Sequence, residues 1–203
     1  MMASGHQTVG VTAGLLSITL LPQVEYIPNG TLETILFFVF VLFGSLLPDI
    51  DTPSSTLGRK FWRALMYILL AAAVLYLFAP EYLETYREQL KVFVMLTFPL
   101  LVMVKSHRKM THSVVFIGLL LFYHLVITYF FEVPPYYFVG FMLGVCSHLL
   151  GDYLTKRGIP FFYPISKKYF RFIITMRTGS SAEKIMVTVL SIWNVWYLIS
   201  QVF

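Results

Sequence analysis

Charged residues and cysteine are both scarce in this sequence of 203 residues. Asp, Glu, Lys and Arg together make up 12% of the chain, whereas a soluble domain carries about 25%. Hydrophobic residues make up 58%, and the mean hydropathy is +0.75. This balance excludes an ordinary soluble domain and predicts an integral membrane protein. Cys146 is the only cysteine, which excludes a disulfide within the chain.

Leader, repeat and linker patterns are also missing from the sequence. The first residues lack the basic segment and the cleavage site of a signal peptide, so we expect no cleavable leader. Because no linker or repeat divides the chain, we predict that residues 1–203 form a single membrane-embedded domain.

Apolar stretches without charge predict an all-α fold, a polytopic transmembrane helical bundle of about seven spans. A spanning helix needs about 20 apolar residues, and the third, fifth, sixth and seventh stretches are long enough. The first is weakly apolar, and its Gly10 and Gly14 suggest close helix packing. The predicted spans are Gln7–Val24, Thr34–Pro48, Ala64–Pro80, Val92–Val104, Ser113–Phe131, Val133–Gly151 and Ile185–Phe203.

The distribution of basic residues predicts the orientation of these spans. Thirteen of the 15 Lys and Arg residues fall in the alternate loops 49–63, 105–112 and 152–184. Cytoplasmic loops carry such an excess, so the N-terminus is predicted inside and the C-terminus outside. The expected location is the bacterial cytoplasmic (inner) membrane.

Histidines and aspartates gather at the cytoplasmic ends of several spans. His148 and Asp152 are four residues apart, which places both side chains on one face of a helix. The other residues with nitrogen or oxygen ligands come from three further segments, so we expect one cluster at the cytoplasmic face. The predicted metal ligands are His6, Asp49, Asp51, His107, His112, His148 and Asp152.

Seven nitrogen and oxygen ligands suit two or more catalytic divalent ions, Zn²⁺ first, with Mn or Fe as alternatives. Such ions activate water and bind phosphate oxygens. Asp49 and Asp51 are candidate catalytic residues, as a bridging ligand or as the base that orients the water. Arg108 is a third candidate, which would stabilise charge on the phosphoryl oxygens. Basic side chains and one helix N-terminus could bind the substrate phosphate: Arg59, Arg108, Lys109 and Ser180.

Two polar residues have structural interpretations as well. His124 lies in the middle of the fifth span, and we expect a packed histidine outside the metal cluster. Ser180 and Glu183 have the spacing of a capping box, which explains Glu183 without a metal.

Four ordered motifs resemble the YdjM-type family of bacterial membrane-bound metal-dependent hydrolases. These motifs are Leu47–Asp51, His107–Ser113, Ser147–Asp152 and Arg177–Glu183, and His6 matches an early histidine of the family. The resemblance covers the chain from His6 to about Glu183. It implies an inner-membrane protein with a metal-dependent hydrolase site. A distant similarity of the family to zinc-dependent phospholipase C implies a phosphoester substrate.

The function predicted from these observations is hydrolysis of a phosphoester by metal-activated water. A phospholipid or lipid-linked phosphate is the favoured substrate, because a site at the membrane boundary lies at headgroup depth. A divalent-metal transporter or sensor is the alternative, as is a structural membrane protein with one stabilising metal. No nucleic-acid partner is expected, and the oligomeric state is left open.

Overall fold

The computed structural model describes residues 1–21, 26–51, 56–78, 80–85, 109–130 and 133–202. These residues form helices and no strand, apart from the isolated bridges Thr155–Met176 and Ile159–Phe170. The all-α prediction is therefore confirmed. The helices are α1 (Ala3–Leu20), α2 (Thr31–Leu46), a 3-10 helix (Leu47–Asp51), α3 (Thr56–Phe78), α4 (Pro80–Thr85), α5 (Val114–Phe130), α6 (Pro135–Tyr153) and α7 (Ser181–Val202).

The chain divides into two compact units, Met1–Pro48 with His112–Phe203, and Asp49–Thr111. The first unit contains α1, α2, α5, α6 and α7, and α2 and α6 form its most extensive helix pair. In the second unit α3 packs against α4, and α3 leaves many apolar side chains exposed. The prediction of a single domain stays a prediction.

Small residues let the backbones of α2 and α6 touch in the first unit. A Cβ atom at Gly44 would lie 2.1 Å from the carbonyl oxygen of Phe141, and one at Gly144 would lie 2.2 Å from that of Val41. Since no real Cβ atom fits at such distances, both positions require glycine. This close contact fixes the position of α6 along the axis of α2. It therefore also fixes the position of the residues at the C-terminal end of α6.

Helix α1 packs against α2, α6 and α7. A Cβ atom at Gly14 would lie 2.7 Å from the ring of Phe38, which confirms the predicted close packing of this helix. Its contact with α7 is polar, because Thr12 Oγ1 donates to Asn194 Oδ1 at 2.9 Å and Asn194 Nδ2 donates to the carbonyl oxygen of Thr8 at 3.3 Å. We call these three residues the polar seam.

Six of the seven predicted spans fall on described helices, and Val92–Val104 lies outside the described residues. Among the described residues, two helical segments are long and apolar enough to cross a membrane, Thr31–Asp49 and Ser181–Ser200. Val114–Tyr129 is a shorter apolar helix. Seven crossings and their orientation therefore stay predictions.

Candidate metal centre

The C-terminal end of α6 carries the first two members of the site. His148 and Asp152 are one helical turn apart, and His148 Nε2 lies 3.7 Å from Asp152 Oδ2. Both side chains therefore share one face, as their spacing predicts. His148 is fully buried, whereas the Asp152 side chain keeps 18% of its surface exposed. The amino group of Met1 also donates to Asp152 Oδ1.

His112 joins this pair from the segment just before α5. Its Nε2 atom lies 3.3 Å from Asp152 Oδ2 and 3.3 Å from His148 Nε2. The ligand atoms of His112, His148 and Asp152 all lie within 4.8 Å of one another. Two imidazole nitrogens and one carboxylate oxygen thus form a small triangle in the first unit.

His6 is the fourth member and comes from the first turns of α1. Its ring stacks on the ring of His148, with the centroids 3.6 Å apart and 9° between the planes. Its Nε2 atom lies 3.3 Å from Asp152 Oδ1. His6 is fully buried, and within the described part of the chain neither of its ring nitrogens has a hydrogen-bond partner. Two unsatisfied buried nitrogens are costly, so this imidazole is a strong candidate ligand.

A backbone carbonyl orients the ring of His148. His148 Nδ1 lies 2.7 Å from the carbonyl oxygen of Ser45, at the C-terminal end of α2. A carbonyl oxygen only accepts, so Nδ1 carries the proton. In the neutral ring Nε2 then presents its lone pair to His112 and Asp152. Histidine ligands of metals commonly have such a partner on the other nitrogen.

The triangle of His112, His148 and Asp152 has a spacing that three ligands of a divalent ion can adopt. We call these three residues and His6 the cluster. Ligands about 2.0–2.1 Å from Zn²⁺ form tetrahedral edges of about 3.3–3.4 Å, whereas an octahedral ion with ligands at about 2.1 Å has adjacent edges of about 3.0 Å. The edges of the triangle measure 3.3, 3.3 and 3.7 Å. Good hydrogen bonds from nitrogen to oxygen span about 2.7–3.2 Å. The donor set and its spacing are therefore compatible with a zinc site.

The remaining predicted residues belong to the second unit, to the start of α7 or to the part of the chain that is not described. Asp49 and Asp51 lie on the 3-10 helix after Pro48, in the second unit. The Asp49 side chain is half-buried, and that of Asp51 lies outside the description. Arg59, at the start of α3, and Lys109 also belong to the second unit. His107 and Arg108 lie outside the described residues, so their roles stay predictions.

Ser180 and Glu183 form the start of α7. The N–H group of Glu183 donates to Ser180 Oγ at 3.4 Å, which is one half of the predicted capping box. The Glu183 carboxylate instead accepts from Gly179 N at 2.7 Å and from Met2 N at 2.7 Å. Glu183 is fully buried and therefore ties the start of α7 to the start of α1. Binding of phosphate by Ser180 stays a prediction.

His124 behaves as expected from the sequence. Its ring stacks on Phe138, with the centroids 3.9 Å apart and 7° between the planes. His124 does not belong to any group of possible metal ligands found in the described part of the chain.

Two residues of the site were not identified from the sequence. Ser45 contributes through its carbonyl oxygen, which has no signature in the sequence. Gly151 makes room for His6, because a Cβ atom there would lie 3.1 Å from His6 Nδ1. Its position between His148 and Asp152 could have indicated a ring packed against α6.

The fold and the site together define a helical protein with a buried histidine–aspartate cluster at one end of its core helices. Comparison with known proteins identifies the family. The chain belongs to the YdjM inner membrane protein family, whose model matches residues 1–202. It is therefore a membrane-embedded protein of the inner membrane, as the composition predicts.

Individual relatives show the same relationship. The chain is 28% identical over 157 residues to the inner membrane protein YdjM of Escherichia coli K12, and equally to that of Shigella flexneri. These alignments cover 74% of this chain and 61% of the relative. It is 32% identical over 154 residues to the uncharacterized protein YvsG of Bacillus subtilis, covering 76% of this chain and 72% of YvsG. No solved structure matches the chain.

Proposed function

We propose that this protein is a membrane-bound metal-dependent hydrolase that acts on a phosphoester. The observation that carries the proposal is the triangle of His112, His148 and Asp152, spaced like metal ligands, with the buried His6 ring beside the other oxygen of Asp152. A divalent ion held there would polarise a phosphoryl oxygen and make water a better nucleophile at neutral pH.

Asp152 supports a site for more than one ion. Its Oδ1 atom faces His6, whereas its Oδ2 atom faces His112 and His148. We propose that the two oxygens serve two ions, with zinc as the first choice and Mn or Fe as alternatives. Asp49, Asp51 and His107 are the proposed further ligands.

The chain's own groups would orient the reactants. The Ser45 carbonyl holds the proton on His148 Nδ1 and keeps Nε2 available as a ligand. Asp152 is the one partly exposed member of the cluster, so substrate and water would approach from its side. The proposed role of Arg108, with Arg59, Lys109 and Ser180, is to bind the phosphate oxygens.

A lipid is the proposed substrate class, and the topology supports this choice. We propose about seven spans with the N-terminus inside, because 13 of the 15 Lys and Arg residues fall in alternate loops. The cluster would then lie at the cytoplasmic face, at the depth of phospholipid headgroups. A distant relationship to zinc-dependent phospholipase C, implied by the motif resemblance, fits a phosphoester of this kind.

Elemental analysis combined with a lipid headgroup-release assay tests the proposal on the full chain in nanodiscs. We expect His112→Ala to lose both bound metal and turnover. His124→Ala is the matched control, since His124 packs on Phe138 away from the cluster, and it should retain both. Arg108→Ala should retain metal and lose about 10²- to 10³-fold in rate.

Three outcomes would count against the hydrolase. Full metal content and activity in His112→Ala would remove the cluster from the mechanism. Uptake of metal into vesicles without headgroup release would favour the transporter instead. One bound ion with no turnover on any phospholipid would favour a structural metal.

A further inference from the structure

The segment between Asp152 and Glu183 carries positive charge only. It contains six Lys or Arg residues and no Asp or Glu, and all six side chains are exposed. We call residues 155–178 the basic loop. Its cations are Lys156, Arg157, Lys167, Lys168, Arg171 and Arg177.

Apolar side chains project from the same loop. Ile165 is 89% exposed, Ile173 is 95% exposed and Ile174 is 78% exposed. Exposed isoleucine is unfavourable in water, and these three lie within a few residues of Lys167, Lys168 and Arg171 in the chain. Aliphatic tips next to cations are typical of segments that lie in the interface of an anionic membrane.

Backbone hydrogen bonds hold the basic loop in a defined conformation. Ile159 and Phe170 exchange two bonds of 2.8 Å, and Lys156 N donates to the carbonyl oxygen of Met176 at 2.9 Å. Gly158 permits the close approach, because it has a positive φ of 68° and a Cβ atom there would lie 2.3 Å from the carbonyl oxygen of Phe170. The exposed isoleucines are therefore presented by an ordered scaffold.

Two backbone hydrogen bonds attach the basic loop to residues next to the cluster in the first unit. Phe172 N donates to the carbonyl oxygen of Tyr153 at 3.0 Å, directly after Asp152. Val114 N, two residues after His112, donates to the carbonyl oxygen of Phe161 at 2.9 Å. The loop thus begins where His148 and Asp152 are presented.

We propose that the basic loop is a binding surface for anionic phospholipid. The isoleucine tips insert among the acyl chains, and the Lys and Arg side chains pair with the headgroup phosphates. Charge complementarity selects this occupant, since the loop exposes six cations and contains no acidic residue. This binding does not depend on the chemistry of the metal cluster, so it stands or falls independently of the proposed hydrolase.

A fluorescent probe at the tip of the loop tests the proposal. Cys146→Ser removes the only cysteine, and Ile173→Cys then provides a single site for the polarity-sensitive dye NBD. The full chain is placed in nanodiscs of phosphatidylcholine alone or mixed with phosphatidylglycerol. With phosphatidylglycerol we expect blue-shifted emission that spin-labelled lipids quench. The shift should shrink in phosphatidylcholine alone, and also at an ionic strength of about 1 M, where charges are screened beyond about 3 Å.

Two triple variants that each lose three positive charges distinguish the cations of the basic loop from positive charge elsewhere in the chain. Lys156→Gln, Lys167→Gln and Lys168→Gln combined should shrink the blue shift, as removal of phosphatidylglycerol does. The matched control, Lys60→Gln, Arg63→Gln and Lys184→Gln combined, removes three exposed charges outside the loop and should leave the shift unchanged. Circular dichroism verifies that both variants retain their helices, and a second label at residue 165 repeats the measurement.

Specific results would overturn the lipid assignment. A probe that iodide quenches from the water in every nanodisc would show that the tips do not insert. A blue shift that persists at full size in the loop variant would show that the cations do not hold the loop on the lipid. Shielding that occurs only when an acidic protein or RNA is added would assign the surface to that partner instead.

Discussion

Replacing Gly151 by alanine should weaken metal binding without removing any ligand. A Cβ atom at this position would lie 3.1 Å from His6 Nδ1 and 3.4 Å from His6 Cε1, whereas unstrained contacts lie at about 3.5–4.0 Å. The His6 ring must therefore move by a few tenths of an ångström. It cannot move freely, because it is fully buried and stacked at 3.6 Å on His148.

A displacement of this size matters because metal–ligand distances are tolerated only within about 0.2 Å. Changes to groups that support metal ligands typically reduce affinity about 10- to 100-fold. We expect Gly151→Ala to lose affinity in this range, which equals about 1.4–2.7 kcal/mol. The helix itself should not suffer, since alanine is favoured over glycine inside a helix by about 0.5–1 kcal/mol.

Competition with a colorimetric zinc chelator measures this affinity in the purified chain. Gly118→Ala is the matched control, because Gly118 also lies inside a helix and a Cβ atom there would meet nothing within 4 Å. The control should bind zinc like the unchanged protein. If Gly151→Ala retains full affinity while His6→Ala loses it, the reasoning on ring displacement is wrong. If both retain it, His6 is not a ligand.

Three further predictions concern stability, measured by thermal unfolding in detergent. Gly144→Ala should lower the free energy of unfolding by about 1–3 kcal/mol, because the added Cβ atom overpacks against the backbone of α2. Gly118→Ala should not lower it, and equal effects of the two substitutions would contradict the close helix contact. A double-mutant cycle of Thr12→Val and Asn194→Leu should give a coupling energy of about 0.6–1.7 kcal/mol, and additive effects would exclude the bond between them. Glu183→Ala should cost about 0.5–1.5 kcal/mol for each of the two hydrogen bonds that it removes, since Met2 and Gly179 are exposed to solvent; a neutral change would show that water replaces the carboxylate fully.

The sequence predicted the helices well because apolar stretches bounded by charge are a strong signal. Five predicted spans coincide with helices of the first unit, and Ala64–Pro80 overlaps α3 of the second. The same signal says little about membrane crossing, since two of the described helical segments meet the length and apolarity that crossing requires. The seven-span topology is therefore inferred from the charges of the loops and not from the composition of the helices.

The sequence predicts the arrangement of candidate site residues only where one helix fixes their geometry. The spacing of His148 and Asp152 determines their common face, whereas the convergence of His6 and His112 on them depends on how α1 and α5 pack. The placement of the histidines at the predicted cytoplasmic ends of the spans indicated that they converge, but it did not indicate how their rings are arranged. The stacked rings require Gly151, and the orientation of His148 requires a main-chain oxygen of Ser45. Neither feature has a local pattern, because both arise from contacts between helices.

The polar seam between α1 and α7 can form only late in the synthesis of the chain. Thr12 and Asn194 are 182 positions apart, so at about 5–20 residues per second the ribosome needs roughly 10–40 s to supply the partner. During that interval the hydroxyl of Thr12 has no amide of Asn194 to bond. Until then Thr12 Oγ1 can bond only within α1, where the carbonyl oxygen of Thr8 lies 2.9 Å away. Because His6, His112, His148 and Asp152 all precede α7 in the chain, the cluster can assemble before the polar seam forms.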